Sequence, residues 1–322
     1  MAEIELCNFS DLHNDWRDIY VQASGRLLFS SPSWSETWWQ HFGKTGDLYL
    51  GAVKENGTTI GIAPLRIQNS IAYFIGSNDV CDFLDFIILP GHEKPFFHTL
   101  INHFKQLGIS TLDLSPLLPG STVMLFMEEM ARNQGLAVTS QHEDVTVYVD
   151  LPSQLELYLS SLSSKQRHEL LRKERRLNEE GDINFTITGK PDKQQTDAFM
   201  RFFRDSREDK KAFLTVDMER FFQSLFEISA SEGMLRLGLL ELNSQPVAIT
   251  LCFDHRGEVY LYNSGYDPNY RWLSVGLLSK YYCIKDSIEK GKRRFDFLKG
   301  PEKYKYHLGG KEQPIYRCII KY

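Results

Sequence analysis

The residue types best suited to chemistry lie in the last sixty positions of a 322-residue chain. Arg271-Trp272-Leu273-Ser274-Val275-Gly276 runs into an apolar pattern of helical spacing. The free amides at such a helix start carry the positive end of the helix dipole and suit an anion. Small residues there let the anion reach the backbone. Ser274 also suits a helix cap, in which case the turn needs no ligand. Asn263-Ser264-Gly265-Tyr266 ends a strand-like run. Gly265 either allows close approach to the backbone or marks a bulge with Tyr266 in the core. Asp296 interrupts the apolar run Phe295-Asp296-Phe297-Leu298. A carboxylate there is costly unless paired or functional. Facing a cleft, it would be desolvated into a general base for an ammonium nucleophile; otherwise it pairs with Lys305 or Arg294. Tyr304, Lys305 and Tyr306 come next, on a short helix, where Lys305 suits an acidic substrate or a phosphate. The alternative for all three is an exposed polar face.

Regular elements must position these groups. Leu235–Leu242, Pro246–Phe253 and Glu258–Asn263 are three strands. Ser274–Lys290 is a helix stopped by Gly291. Arg294–Leu298 is a strand, Pro301–Leu308 a short helix and Ile315–Lys321 a last strand. Upstream, the spacing predicts helices over Ser153–Leu162, from a Ser163/Gln166 capping box to Glu180, and over Gln194–Arg207 and Asp217–Glu232. In the first half, Pro32-Ser33-Trp34 starts a helix. Asp47–Val53 and Thr59–Ile67 form a hairpin about Asn56-Gly57. Ile71–Ile75, Phe83–Leu89 and Ser110–Leu114 read as strands, and His92–Leu107 and Val123–Asn133 as helices. Hairpin, strand, helix, strand thus occurs twice, as a duplication of architecture rather than of sequence.

Bulk properties narrow the function. The length suits two cores, divided as 1–150 and 151–322. The first part holds 8 Lys/Arg and 18 Asp/Glu, the second 29 and 24. A basic second half suits a phosphorylated co-substrate, and is far less basic than a domain dedicated to nucleic acid. Lys165–Arg176 has six Lys/Arg against two Glu and reads as a solvated basic helix. Trp34, Trp38 and Trp39, at helical spacing, read as core. The five cysteines are scattered without a CxxC pair, so no metal site is expected, and Cys252 and Cys283 read as small core residues. The acidic first 24 residues are unlike a signal peptide, and no apolar run reaches the ~18 residues of a membrane span. A cytoplasmic protein is expected.

A family resemblance joins these pieces. It is carried by Phe29-Ser30-Ser31-Pro32-Ser33-Trp34 with Trp38, and by Leu162-Ser163-Ser164-Lys165-Gln166-Arg167 with Leu170-Leu171-Arg172. Gly265-Tyr266-Asp267, Ser274-Val275-Gly276-Leu277-Leu278, Phe295-Asp296-Phe297-Leu298-Lys299-Gly300 and Tyr304-Lys305 continue it. In that order the chain resembles, over nearly its whole length, the CelD/BcsL-type branch of GNAT acetyltransferases, distantly related to Fem-type transferases. The resemblance implies a mixed α/β fold of two tandem GNAT-like domains, the first degenerate and on the acceptor side. Gly91-His92-Glu93-Lys94-Pro95, before the first domain's helix, is a poor phosphate cradle. It also implies acetyl-CoA or another acyl-CoA as co-substrate, held at Asn263, Gly265, Arg271, Ser274, Val275 and Gly276. The family's phosphate turn is Gln/Arg-x-x-Gly-x-Gly/Ala. Arg271 and Gly276 match it, and Ser274 replaces its first glycine. Asp296, Tyr266, Tyr304 and Lys305 are the catalytic candidates, with Tyr304 or Tyr306 as proton donor to the departing thiolate.

Three functions compete. The first is acyl transfer to an amine or hydroxyl of a sugar or cell-envelope precursor by direct attack on the thioester, without a covalent enzyme intermediate. The second is Fem-type transfer from aminoacyl-tRNA, with tRNA on residues 165–176. The third is a binding protein whose acyl site has decayed, a reading that Ser274 keeps open.

Overall fold

The computed structural model describes residues 2–25 and 28–322. Asn56 and Gly57 both take positive φ, 52° and 79°, the backbone that a two-residue hairpin turn requires. The chain divides into two units, residues 1–145 with 314–322 and residues 146–313. The last nine residues thus belong with the first unit.

In the first unit, β1 (Ala2–Cys7), α1 (Phe9–Gln22) and α2 (Pro32–Phe42) precede the hairpin of β2 (Asp47–Glu55) and β3 (Thr58–Gln68). Next come β4 (Ile71–Phe74), β5 (Ile87–Ile88), α3 (Glu93–Leu107), β6 (Thr111–Leu117), α4 (Glu128–Asn133) and the start of β7 (Ala137–Asp150). β1 and α1 carry no clear signal in the sequence. Ser31 caps α2 by accepting from the Trp34 amide, with Pro32 in the first turn. Trp34 and Trp38 are buried, as expected of core residues. The expected strand Phe83–Leu89 is a buried loop in which only Ile87–Ile88 pairs, against β3. Its polar backbone is satisfied otherwise. The Leu84 amide donates to the Pro116 carbonyl, Ser30 Oγ accepts from the Asp85 amide, and the Asp85 carboxylate accepts from Phe86 and Thr122. β4 and β6 pair in parallel across α3.

The second unit takes the end of β7, then α5 (Leu155–Ser161), α6 (Ser164–Asn178), β8 (Ile183–Thr188), α7 (Lys193–Ser206), α8 (Glu208–Phe213) and α9 (Val216–Ser231). β9 (Leu235–Leu242), β10 (Gln245–His255) and β11 (Glu258–Tyr266) come next, then a 3-10 turn at Pro268–Leu273 and α10 (Val275–Glu289). β12 (Arg294–Lys299) and α11 (Lys303–His307) precede β13 (Lys311–Lys321), whose end belongs to the first unit and pairs with β6. The strand order is β7-β12-β11-β10-β9-β8. α6 has the expected capping box of Ser163 and Gln166, and α7 has a second, of Asp192 and Gln195. α7 and α9 bury Phe199, Phe202, Phe203, Phe221, Phe222, Leu225 and Phe226. At roughly 1.5–3 kcal/mol for each large apolar side chain buried, this layer is a main support of the unit. Both units run hairpin, strand, helix, parallel strand, and the fold is mixed α/β as the sequence predicts.

Candidate active site

The strands β11 and β12 set the site. They pair in parallel only at Glu258↔Arg294, Val259↔Phe295 and Tyr260↔Asp296. Beyond Tyr260, β11 continues to Tyr266 with a partner only on its β10 side. A register shift opposite Leu251/Cys252 makes Tyr262 an extra residue in β11. Such a bulge bends a strand and re-aims the residues after it. The edge from Leu261 to Tyr266 therefore offers backbone groups that no neighbouring strand takes up.

The helix α10 starts beside this edge. Ser274 joins the 3-10 turn to α10 with φ 60° and ψ 29°, the left-handed region, and its side chain makes no cap hydrogen bond. The cap expected of Ser274 is therefore not formed. The chain turns there through a conformation that glycine adopts freely and serine adopts at a cost of roughly 1–2 kcal/mol. This is why a glycine suits the position. The first-turn amides of α10 stay without a side-chain cap. Val275 is buried, Gly276 half-buried and Arg271 exposed. A side-chain carbon on Gly276 would come 2.9 Å from the Tyr266 ring, so the ring of Tyr266 lies against the helix start.

Gly265 has a structural reason of its own. A Cβ there would meet the carbonyl carbon of Phe202 at 2.3 Å and the amide nitrogen of Phe203 at 2.4 Å. The close backbone approach that glycine permits is thus made by α7. Asn263, half-buried, lies opposite Leu251 at the bulge.

Asp296 is fully buried. Its Oδ1 accepts from Thr146 Oγ1 at 3.0 Å and from the Leu298 amide at 2.7 Å. Leu298 has φ 63°, and the β7–β12 register shifts between Asp296 and Lys299. The carboxylate therefore clamps the bend at which β12 leaves β11. Arg294 pairs with Asp150 at 3.1 Å and Lys305 with Glu302 at 2.8 Å. Lys305, 1% exposed, also donates to the carbonyls of Leu298, Lys299 and Gly300 at 2.8, 2.7 and 2.8 Å. It does not lie on an exposed polar face; it holds the loop after β12. Tyr306 directs its hydroxyl to Glu312 at 2.5 Å. Tyr304 instead packs edge-on against Phe297, and burial, with help from the Glu302 charge, pushes its hydroxyl well above the ordinary tyrosine value. It stays protonated at neutral pH, as a proton donor must.

Sequence reasoning missed two lysines here. Lys280 of α10 donates to the Gly276 carbonyl at 2.6 Å and lies 4.9 Å from the Tyr304 ring centre. Lys210 of α8 donates to the Ser264 carbonyl, on β11, at 2.5 Å. Lysines inside an apolar helix pattern and on a six-residue helix carry little sequence signal.

A groove of about 940 Å³ adjoins the start of α10, lined by Leu277, by Lys165, Gln166, His168 and Lys173 of α6, and by His307. Gln166 ties α6 to the Tyr306 carbonyl at 2.7 Å, and Arg176 stacks over Trp272 at 5.4 Å. Part of the basic face of α6 thus borders the helix start instead of being only solvated. Among the described residues, no cluster of His, Cys, Asp and Glu is placed to hold a metal ion, and no helix is long and apolar enough to cross a membrane.

Known proteins share this architecture. Residues 164–306 match the family model described as acetyltransferase (GNAT) domain, which spans most of the second unit. No curated protein sequence matches the chain. Among solved structures, FemX is similar with a TM-score of 0.67 at 11% identity, over 98% of this chain and 96% of that one. The C-terminal domain of a provisionally named lysylphosphatidylglycerol synthetase from Agrobacterium fabrum gives 0.61 at 11% identity, over 97% and 92%. A tandem GNAT protein from the clavulanic acid biosynthesis pathway gives 0.51 at 11% identity, over 99% and 98%. At these identities the likeness is one of fold. The chain has a GNAT acyltransferase fold with tandem-GNAT neighbours.

Proposed function

We propose that this chain is an acyltransferase of the CelD/BcsL type that takes its acyl group, acetyl in the simplest case, from acyl-coenzyme A and passes it to an amine or hydroxyl of a small acceptor. A sugar or cell-envelope precursor is the acceptor class that the family resemblance favours. The observation that carries the reading is the parting of β11 from β12 after Tyr260/Asp296, next to the uncapped start of α10. Free amides at a helix start suit a pyrophosphate, Lys165 and Lys173 add positive charge along the groove, and Arg271 adds it in the turn that precedes α10. Backbone amides on the open edge of β11, around Asn263 and Gly265, would polarise the thioester carbonyl. Tyr304 would protonate the leaving thiolate. Tyr266 would orient the thioester against Gly276. Asp296 and Lys305 would act by fixing the bend and the loop of β12, as positioning residues.

The reading is tested by Arg271→Glu, which is expected to weaken acetyl-CoA binding at least tenfold; unchanged affinity would remove Arg271 from the site. The basic residues of α6 favour a second reading, an aminoacyl-tRNA donor. That reading requires tRNA binding that falls steeply with salt and depends on residues 165–176. Absence of tRNA binding at low salt would eliminate it.

A further inference from the structure

The charges around the open edge of β11 do not balance. Four cations act there: Arg207 at the cap of α8, Lys210 on α8 at the Ser264 carbonyl, Lys280 on α10 at the Gly276 carbonyl, and Lys305 on α11 at the Leu298 carbonyl. Arg207 is held by Asp209 through two hydrogen bonds of 2.9 and 2.8 Å. Lys305 is paired with Glu302 at 2.8 Å. Lys210 and Lys280 have no carboxylate at ion-pair distance among the described residues; the charges of Asp209 and Glu302 act on Lys210, and that of Glu302 on Lys280, without a direct pair. Each has one carbonyl, Ser264 or Gly276, and an aromatic ring, Phe203 at 4.7 Å or Tyr304 at 4.9 Å. Lys280 is only 6% exposed. The nearby Cys283 thiol is turned to Thr250 Oγ1 at 3.1 Å.

An ammonium group has three donors, and each lysine spends one. Lys280 is buried and Lys210 half-buried, and a charge withdrawn from water is usually relieved by a partner. Burial, reinforced by the charges of Lys280 and Arg207 at Lys210 and of Lys305 at Lys280, pulls Lys210 down to about 7 and Lys280 to about 8. Ser264 lies on the unpaired edge of β11 and Gly276 in the first turn of α10, so the two ammonium groups flank the place where the reacting groups would meet.

We infer that Lys210 and Lys280 together bind an oxyanion, a carboxylate or phosphoryl group, carried by the second substrate beside its nucleophile. The inference rests on the acyl-transfer reading for the identity of that substrate, and on charge and geometry alone for the site. The acceptor class is thereby narrowed to anionic amines or alcohols, such as amino acids, sugar acids or sugar phosphates. Their negative charge would seat on the two lysines and turn the amine or hydroxyl toward the thioester.

The test is calorimetric titration of the full chain with sodium succinate and, separately, with inorganic phosphate. It is repeated on Lys210→Met, Lys280→Met and Lys210→Arg. Saturable binding of either probe by the wild type is expected, at least tenfold weaker in both Met variants and kept in Lys210→Arg. The probe that binds distinguishes carboxylate from phosphoryl recognition. Anion binding that is absent in the wild type, or unchanged in both Met variants, overturns the site. Lys280→Met is also expected to melt at or above the wild-type temperature, because an uncompensated buried charge has been removed. Melting well below it would contradict the charge imbalance. Acetyl-CoA is titrated into the same preparations. Lysine-dependent anion binding without acetyl-CoA binding would remove the donor reading and leave the site standing, and the reverse result would remove the site alone.

Discussion

Substituting Gly265 by alanine should damage the protein through a single identifiable collision. The added carbon would lie 2.3 Å from Phe202 C, 2.4 Å from Phe203 N and 2.6 Å from Phe202 O. Unbonded carbons rest at about 3.5–4.0 Å, so α7 would have to withdraw by a little over 1 Å. No change of rotamer relieves the contact, because the obstacle is backbone. Withdrawal also loosens the aromatic layer of Phe199 on Phe222 and Phe226, at 5.6 and 5.4 Å, and of Phe203 on Phe222, at 5.6 Å. Overpacking of this kind costs about 1–3 kcal/mol, and the upper end is expected because a whole helix must move. Gly120 is the control, since a Cβ there meets nothing within 4 Å. Its alanine variant should lie within about 0.5 kcal/mol of wild type. Urea unfolding followed by far-ultraviolet circular dichroism gives both values. A loss in Gly265→Ala no larger than that in Gly120→Ala would refute the account of why this strand end carries glycine.

Ser274→Gly should stabilise the chain by about 0.5–1 kcal/mol, since it relieves a left-handed serine and loses no cap. Ser274→Ala should be nearly neutral, and a loss of about 1 kcal/mol in that variant, measured by urea unfolding, would restore the capping role. Lys305→Met should cost about 3–5 kcal/mol, because three carbonyls and Glu302 lose their shared partner; a thermal melt within a degree or two of wild type would contradict the anchoring role. Burial holds the Asp85 carboxyl at about 6 instead of 3.8, against the opposing hydrogen bonds from Thr122 and Phe86. A carboxyl raised on folding stabilises most below its unfolded value and loses that contribution as pH rises through the folded one. Relative to Asp85→Asn, the wild type should therefore lose about 2 kcal/mol between pH 4 and pH 7, most of what a shift of two pKa units sets. A flat difference in urea stability across that range would refute it.

Much of the second unit was legible because its signals are local. Ser163 and Gln166 form the capping box that the spacing announces, and the strand–helix–strand order from Leu235 to Leu298 appears with shifts of a few residues. The features that stayed hidden depend on distant partners. Gly265 is a glycine because of Phe202 and Phe203, some sixty positions earlier, and nothing in its neighbourhood reveals α7. Ser274 reads as a cap because serine caps helices, and only the backbone angles show that the turn runs through glycine's territory. The stretch Phe83–Leu89 looks like a strand by its apolar run, yet Ser30, Pro116 and Thr122 take up the polar groups a strand would have shared with a neighbour. Lys210 and Lys280 enter the site by tertiary packing, Lys210 from an element too short to predict.

The central claim, an acyl-coenzyme A site at the start of α10 and the open edge of β11, is tested most directly by calorimetric titration of the wild-type chain with acetyl-CoA. Binding at micromolar strength, about −8 kcal/mol, with one site per chain is the predicted result. The absence of heat and of any thermal shift, with acetyl-CoA and with longer acyl-CoAs alike, would contradict it.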